Sequence, residues 1–436
     1  MPETARPALE IWSPLPPAAS GVADYVNEQL PFLAQGFDLT LVVEDKAAVD
    51  EGLRDAFRVI DAGDANPHAL RLYHVGNSPA HAFIYREALE TPGIVVLHEW
   101  NLHELILGFG ERSRDFKDYT RAMRREHGER GAIAADALSR SLGGSHWAAL
   151  FPLNADLLER ALAVVALAGS TAERAATRLP GGRVLHLPHH ALLVSHTTNR
   201  EEARRRLGLD PGAALVVAPG LGGAAKALGV ARIAMASLRP RVRNLTFVTV
   251  GGSGSDRADG SESEKALGRV DLETLGDTLV AADVVLALRF PSRGEASGVG
   301  MRALAAGRAV VVTEGSTADE DLAPGVVARV SPGPAEASEL AAVVGFLLED
   351  KVARERLERL ALGEAQARPV EGLAGRLATF VQEVAAARAE LEAGVRERAA
   401  RGRNVRPQFL DAVEAAGRSL GLFQLPAPVF EKLAGL

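Results

Sequence analysis

The feature that most restricts the fold is a recurrence of short apolar runs, each followed by a loop and then a helix-like pattern. Ile94-Val-Val-Leu97, Ala163–Leu167 and Ala309–Thr313 are typical. A strand that is apolar at every position, instead of every second one, must be covered on both faces. Helices alternating with the strands supply that cover. The expected fold class is α/β, built from doubly wound parallel sheets. Strands are expected at 10–13, 39–43, 58–61, 71–75, 94–98, 163–167 and 184–187. A second series is expected at 215–218, 245–250, 270–272, 284–288, 309–313 and 326–330.

The series restarts near Leu215, after the polar stretch 195–206. Two Rossmann-like αβα units in tandem are therefore expected, over 1–195 and 196–370, with a helical extension over 371–436. Amphipathic patterns at 336–349 and 352–362 precede one long Ala/Glu/Arg helix expected at 372–398. A basic hinge (396–406), a last helix (407–420) and an apolar tail complete the chain. The length of 436 residues suits this, at roughly 150 residues per domain.

Composition narrows the chemistry. No cysteine is present, which excludes disulfides, Cys-ligated zinc, iron–sulfur clusters and a thiol nucleophile. The net charge of −7 argues against a nucleic-acid binder, and no basic–aromatic interleaving for single strands is found. The N-terminal stretch lacks a basic segment followed by an apolar one, and no apolar run approaches the roughly 18 residues of a membrane span. The expected location is cytoplasmic; the 396–406 cations read first as a solvated face, with peripheral contact to a membrane surface or a partner as the alternative. Metal-binding, Walker A and Gly-x-Ser-x-Gly patterns are absent, so no cofactor and no metal are expected.

Two open α/β units leave a cleft between the carboxyl ends of their strands, where ligands bind in such folds. Five strand-to-helix loops deserve weight. In the first, Ser20-Gly21 sits just before a helix and lets a phosphate approach its N-terminus, or serves only as an N-capped turn. In the second, His98 is the first polar residue past an apolar strand and is expected to point into the cleft; His103 reads as scaffold. The third, Pro219-Gly-Leu-Gly-Gly-Ala-Ala-Lys226, combines the turn glycines Gly220, Gly222 and Gly223 with a lysine. Lysine is scarce here, six of 49 cations, so Lys226 is read as a phosphate contact. The fourth, 289–307, opens a helix near Ser297 whose Gly298, Val299 and Gly300 can present N–H groups to an anion. Around it Arg289, Arg293 and Arg302 are expected to neutralise a diphosphate, and Glu295 to accept from sugar hydroxyls. The fifth, with Gly251 and Gly252, either lines a nucleotide pocket or is a plain flexible loop.

With these loops in view, the chain resembles the GT-B glycosyltransferases, in particular the retaining family-4-like (group 1) enzymes. The resemblance spans most of 8–385 and is carried by SPLPPAASGVADYV, YHVGNSPAHAF, GIVVLHEWNLHEL, VLHLPHH and RFPSRGEASGVGMRALAAGRAVVVT. It implies a first domain holding an acceptor, a second holding a nucleotide diphosphate sugar, and C-terminal helices crossing back to the first. It implies His98 and Glu295 as catalytic residues. Gly21, Gly220, Lys226, Arg293, Ser297, Gly298 and Val299 would contact the donor phosphates, and Gly251, Gly252 and Arg302 the nucleotide. The implied reaction is glycosyl transfer with retention, by front-face attack and without metal.

Two departures stand out. Leu221 occupies the place of the family's loop arginine. In the family's pair of glutamates separated by seven residues, Gly294 stands for the first, with Glu295 one residue out of register, and Arg302 for the second. The second glutamate commonly serves the ribose, so nucleotide recognition must differ here. These changes motivate two alternatives: a GT-B module that binds a nucleotide sugar or a protein without turnover, and a nucleotide sugar epimerase.

Overall fold

The computed structural model describes residues 6–113, 115–140, 142, 147–220, 227–251 and 264–400. Its framework is two wholly parallel sheets. The first has seven strands, β1 (Ala8–Trp12), β2 (Asp38–Val43), β3 (Arg58–Asp61), β4 (Leu70–Val75), β5 (Ile94–Leu97), β6 (Ala163–Ala166) and β7 (Arg183–His186), in the order β3-β2-β1-β4-β5-β6-β7. The second has six, β8 (Ala214–Pro219), β9 (Leu245–Val250), β10 (Glu264–Ala266), β11 (Val284–Ala287), β12 (Ala309–Thr313) and β13 (Ala328–Val330), in the order β10-β9-β8-β11-β12-β13.

The reason these runs are strands is visible in their burial. Every residue of β4, β5, β6, β11 and β12 is buried. Alternate side chains feed two cores on opposite faces: Leu72, Ile94 and Val165 point one way, and Tyr73, Val95 and Val164 the other. The second sheet divides likewise, with Val217, Val285 and Val310 on one face and Val216, Val284 and Val311 on the other.

Two expectations fail locally. The sequence 270–272 is no strand: Asp271 caps the Leu272–Ala281 helix, its carboxylate accepting from Thr274 N at 2.6 Å. The strand beside β9 is instead Glu264-Lys-Ala266, a short edge strand. Edge strands need no apolar run, so this one carries none of the signal that marks its neighbours. The long helix expected at 372–398 is two helices, Val370–Ala386 and Arg388–Ala400, separated at Ala387. The break lets the chain follow the surface. The earlier helix packs against the Gly21–Leu33 helix, adding Leu377, Phe380 and Val384 to a core of the first sheet at about 1.5–3 kcal/mol for each side chain. In the last turn of the later helix, Arg398 donates to Ala161 O at 2.6 Å and Glu159 O at 3.2 Å. The residues expected as a last helix and tail, 407–436, lie outside the described residues.

Strand order locates the cleft. In the first sheet β1 lies between β2 and β4, and in the second β8 lies between β9 and β11. Successive crossovers therefore leave in opposite directions at β1/β4 and at β8/β11, which opens a crevice beyond those carboxyl ends. The loops after Trp12, Val75, Pro219 and Ala287 are the ones the topology places there.

Candidate functional site

From the first sheet, the Gly21–Leu33 helix begins beyond β1. Ser20 caps it, accepting from Val22 N at 3.2 Å, and Gly21 is exposed, with open space where a Cβ would lie. One turn in, Tyr25 is fully buried and is the hub of an imidazole cluster. Its ring centroid lies 4.7 Å from His190, 4.8 Å from His189, 5.0 Å from His98 and 6.1 Å from His74. These histidines come from the ends of three strands: His74 in β4, His98 directly after β5, and His189 and His190 after β7. His98 keeps 8% of its surface exposed, its Nε2 3.1 Å from His74 Nδ1 and its backbone N–H donating to Val75 O.

Three of these imidazoles, those of His74, His98 and His189, are uncharged at neutral pH. Burial pushes His74 and His189 down to about 3, and His98 well below its ordinary value, with neighbouring imidazoles acting in the same direction. His189 donates from Nδ1 to His190 O at 2.7 Å, which leaves Nε2 as an acceptor. His190 Nε2 meets Glu28 Oε2 at 2.6 Å. Among the described residues, no three His, Asp or Glu side chains converge on a point that could hold a metal ion. His103, by contrast, is scaffold: it is fully buried between Phe151 O at 2.8 Å and Tyr119 OH at 2.9 Å.

From the second sheet comes the N-terminus of the Gly298–Ala305 helix. Ser297 caps it, its Oγ accepting from Gly300 N at 3.1 Å. The N–H groups of Gly298 and Val299 have no protein partner among the described residues. This end abuts the cluster, since a Cβ at Gly298 would lie 3.0 Å from His189 Nε2. The neutral imidazole of His189, from the first domain, thus faces the positive end of a helix from the second. Gly220, at φ +128, turns the chain after β8 and donates to Val250 O at 2.8 Å; Gly251 donates to Gly268 O at 2.6 Å. Leu221, Gly222, Gly223, Lys226 and Gly252 lie outside the described residues.

Each of the three arginines already holds a carboxylate. Arg289 Nε is 3.0 Å from Glu295 Oε1, Arg293 pairs with Glu104, and Arg302 pairs with Glu28 while donating to Leu192 O at 3.0 Å. Two of those carboxylates, Glu28 and Glu104, belong to the first sheet's domain, so the pairs also join the halves. Glu295 is buried, and its other oxygen accepts from Arg293 N at 2.6 Å.

Backbone bonds run beside these pairs. Trp100 N donates to Gly294 O at 3.3 Å, Asn101 N to Arg293 O at 3.0 Å and Ala296 N to His98 O at 3.4 Å. Gly294 sits at φ +77, and a Cβ there would lie 2.3 Å from that of Trp100. Close approach of the two loops requires glycine at this position. Glu99, directly before Trp100 in the first of these loops, has its carboxyl pushed up to about 7, chiefly by burial and next by the charge of Glu295, with Arg289 opposing.

Sequence reasoning passed over Tyr25, Glu28, His74, Glu99, His189 and His190 as site residues. A usable signal was there for three of them. His74 is a histidine near the carboxyl end of a buried strand, and His189-His190 follow another strand after two intervening residues. Tyr25 and Glu28 had none, being ordinary positions on an amphipathic helix.

This geometry defines the class: two doubly wound parallel-sheet domains facing a cleft, the GT-B fold. Solved structures bear it out. Sucrose-phosphate synthase from Thermosynechococcus elongatus aligns over 88% of this chain and all of its own, with TM-score 0.59 and 17% identity. The Anabaena HepE structure in complex with UDP and glucose aligns over 86% of this chain and all of its own, with TM-score 0.57 and 15% identity. WaaG, a glycosyltransferase involved in lipopolysaccharide biosynthesis, aligns over 86% of this chain and 99% of its own, with TM-score 0.55 and 14% identity. No family model and no curated protein sequence matches the chain. Among the described residues no helix is long and apolar enough to cross a membrane.

Proposed function

We propose that the protein is a retaining, family-4-like glycosyltransferase that moves a sugar from a nucleotide diphosphate sugar to an acceptor, the second domain binding the donor and the first the acceptor. The observation that carries this reading is the juxtaposition of the open Gly298–Val299 helix N-terminus with His189 and His98, two neutral imidazoles beside Tyr25. As the sugar departs, negative charge grows on the diphosphate, where helix N–H groups stabilise it. Lys226 and Gly21 would add a cation and a second helix start. Positive charge grows on the sugar, and an uncharged His98 can hydrogen-bond it without repelling it. Glu295 holds the donor loop in shape through Arg289 and Arg293 N, and sets a negative charge on the same side. HepE carries UDP and glucose in the aligned structure, which supports UDP-glucose as the first donor to test.

The test is a thermal-shift screen of UDP-, GDP-, ADP-, CMP- and dTDP-sugars, followed by product analysis. A true donor raises the melting temperature by mass action. The anomeric configuration of the product, read by NMR, then decides retention. No shift with any nucleotide sinks the donor site. A second reading, a module that binds without turnover, is favoured by one observation: Arg302, standing where a ribose-binding glutamate is expected, is occupied by Glu28. A donor that binds but is neither transferred nor hydrolysed selects it.

A further inference from the structure

His74 and His98 are both buried, and neither is charged at neutral pH. Each ring therefore carries one N–H, and the 3.1 Å contact between His74 Nδ1 and His98 Nε2 must have one donor and one acceptor. The two assignments differ at the far nitrogens. If His98 donated, His74 would carry its proton on Nε2, which is buried and has no protein partner. An orphaned buried N–H is costly and rare. If His74 donates, that nitrogen keeps only a bare lone pair. The rest of the surroundings holds His74 in place: Nδ1 of the buried His81 meets His74 O at 3.0 Å, and the Tyr25 ring lies beside it. His98 Nδ1 has no protein partner among the described residues.

We infer that His74 is a positioning residue: it donates from Nδ1–H to His98 Nε2 and fixes His98 as the Nδ1–H tautomer, so that His98 offers its ligand a hydrogen-bond donor and not a base. The ligand group opposite must then be an acceptor, such as a sugar hydroxyl oxygen or a phosphate oxygen. The consequence for turnover rests on the proposed place of His98 at the donor sugar. The tautomer itself does not.

The test uses the full chain labelled with ¹⁵N-histidine. Long-range ¹H–¹⁵N correlation at pH 7 distinguishes protonated from bare ring nitrogens, and the His98→Gln spectrum identifies the His98 signals. The expected pattern for His98 is Nδ1 protonated and Nε2 bare. A proton on Nε2, or on both nitrogens, overturns the inference, and this readout needs no other variant to fold. His74→Asn, whose amide can replace the Nδ1–H, is expected to leave the pattern unchanged; His74→Phe should abolish it. His98 holding the same single tautomer in His74→Phe would also overturn the inference. In transfer assays His74→Phe is expected to lower kcat about tenfold, as one lost neutral hydrogen bond does, with Asn restoring it. A chain with the expected tautomer that transfers no sugar from any donor refutes glycosyl transfer and leaves the role of His74 intact.

Discussion

Replacing Gly294 by alanine tests directly whether the two halves are joined backbone to backbone. The residue sits at φ +77, where a side chain costs about 1–2 kcal/mol. Its new Cβ would lie 2.3 Å from Trp100 Cβ, 3.0 Å from Trp100 N and 3.1 Å from Thr171 Oγ1. Neither backbone nor a buried tryptophan can yield as a flexible side-chain end would, so an overpacking cost of about 1–3 kcal/mol is added. Separating the loops instead would forfeit the bonds from Trp100 N, Asn101 N and Ala296 N. Together the loss is about 2–5 kcal/mol, a fall in melting temperature on the order of 10 °C. Urea denaturation of Gly294→Ala and of Gly375→Ala is the assay. Gly375 is exposed within the Val370–Ala386 helix and nothing lies within 4 Å of its Cβ position, so its alanine should stabilise by about 0.5–1 kcal/mol. A Gly294→Ala variant that loses less than about 1 kcal/mol would refute the close approach of the loops.

Further outcomes follow from other contacts. Arg302→Ala leaves the buried Glu28 carboxylate without its guanidinium, and should cost about 3–5 kcal/mol by chemical denaturation; Glu28→Ala, which strands Arg302, should cost a similar amount. The Gly169–Arg178 helix has no cap of its own and takes one from the other domain, Asp321 accepting from Gly169 N at 3.1 Å. Asp321→Ala should therefore destabilise by about 1 kcal/mol, and proteolysis of the domain junction should quicken. Glu99 is raised to about 7 in the folded protein, so the unfolded chain holds fewer protons between its ordinary carboxylate range and pH 7, and this group makes stability fall as pH rises through that window. Glu99→Gln should remove that decline in unfolding free energy measured against pH. The lowered His189 acts oppositely, its contribution fading as pH falls from about 6.5 toward 3, and His189→Gln should lessen acid sensitivity there.

Legibility in the sequence followed the range of the interaction involved. Fully buried strands such as β5 and β12 were plain, because burial on both faces demands an apolar residue at every position. Caps at Ser20, Asp271 and Ser297 are local too, each side chain reaching an N–H two or three residues on. Of these, Asp271 was still misread, because the hydrophobic Val270 and Leu272 beside it imitate a strand. β10 was illegible because an edge strand needs only backbone pairing. The break at Ala387 was illegible because alanine suits both a continuous helix and its end.

The candidate site divides in the same way. The sequence by itself determined which loops end at the cleft, and with them His98, Glu295 and the Gly298 helix start, because strand ends and glycine turns are written in neighbouring residues. Only the tertiary structure decided what those groups can do. It gathers four histidines from three strand ends around Tyr25, and burial there keeps His74, His98 and His189 neutral. It occupies Arg293 and Arg302 with Glu104 and Glu28, partners 189 and 274 residues away in the chain. A charge's availability depends on what lies within a few ångströms of it in space, and no local pattern of residues records that distance.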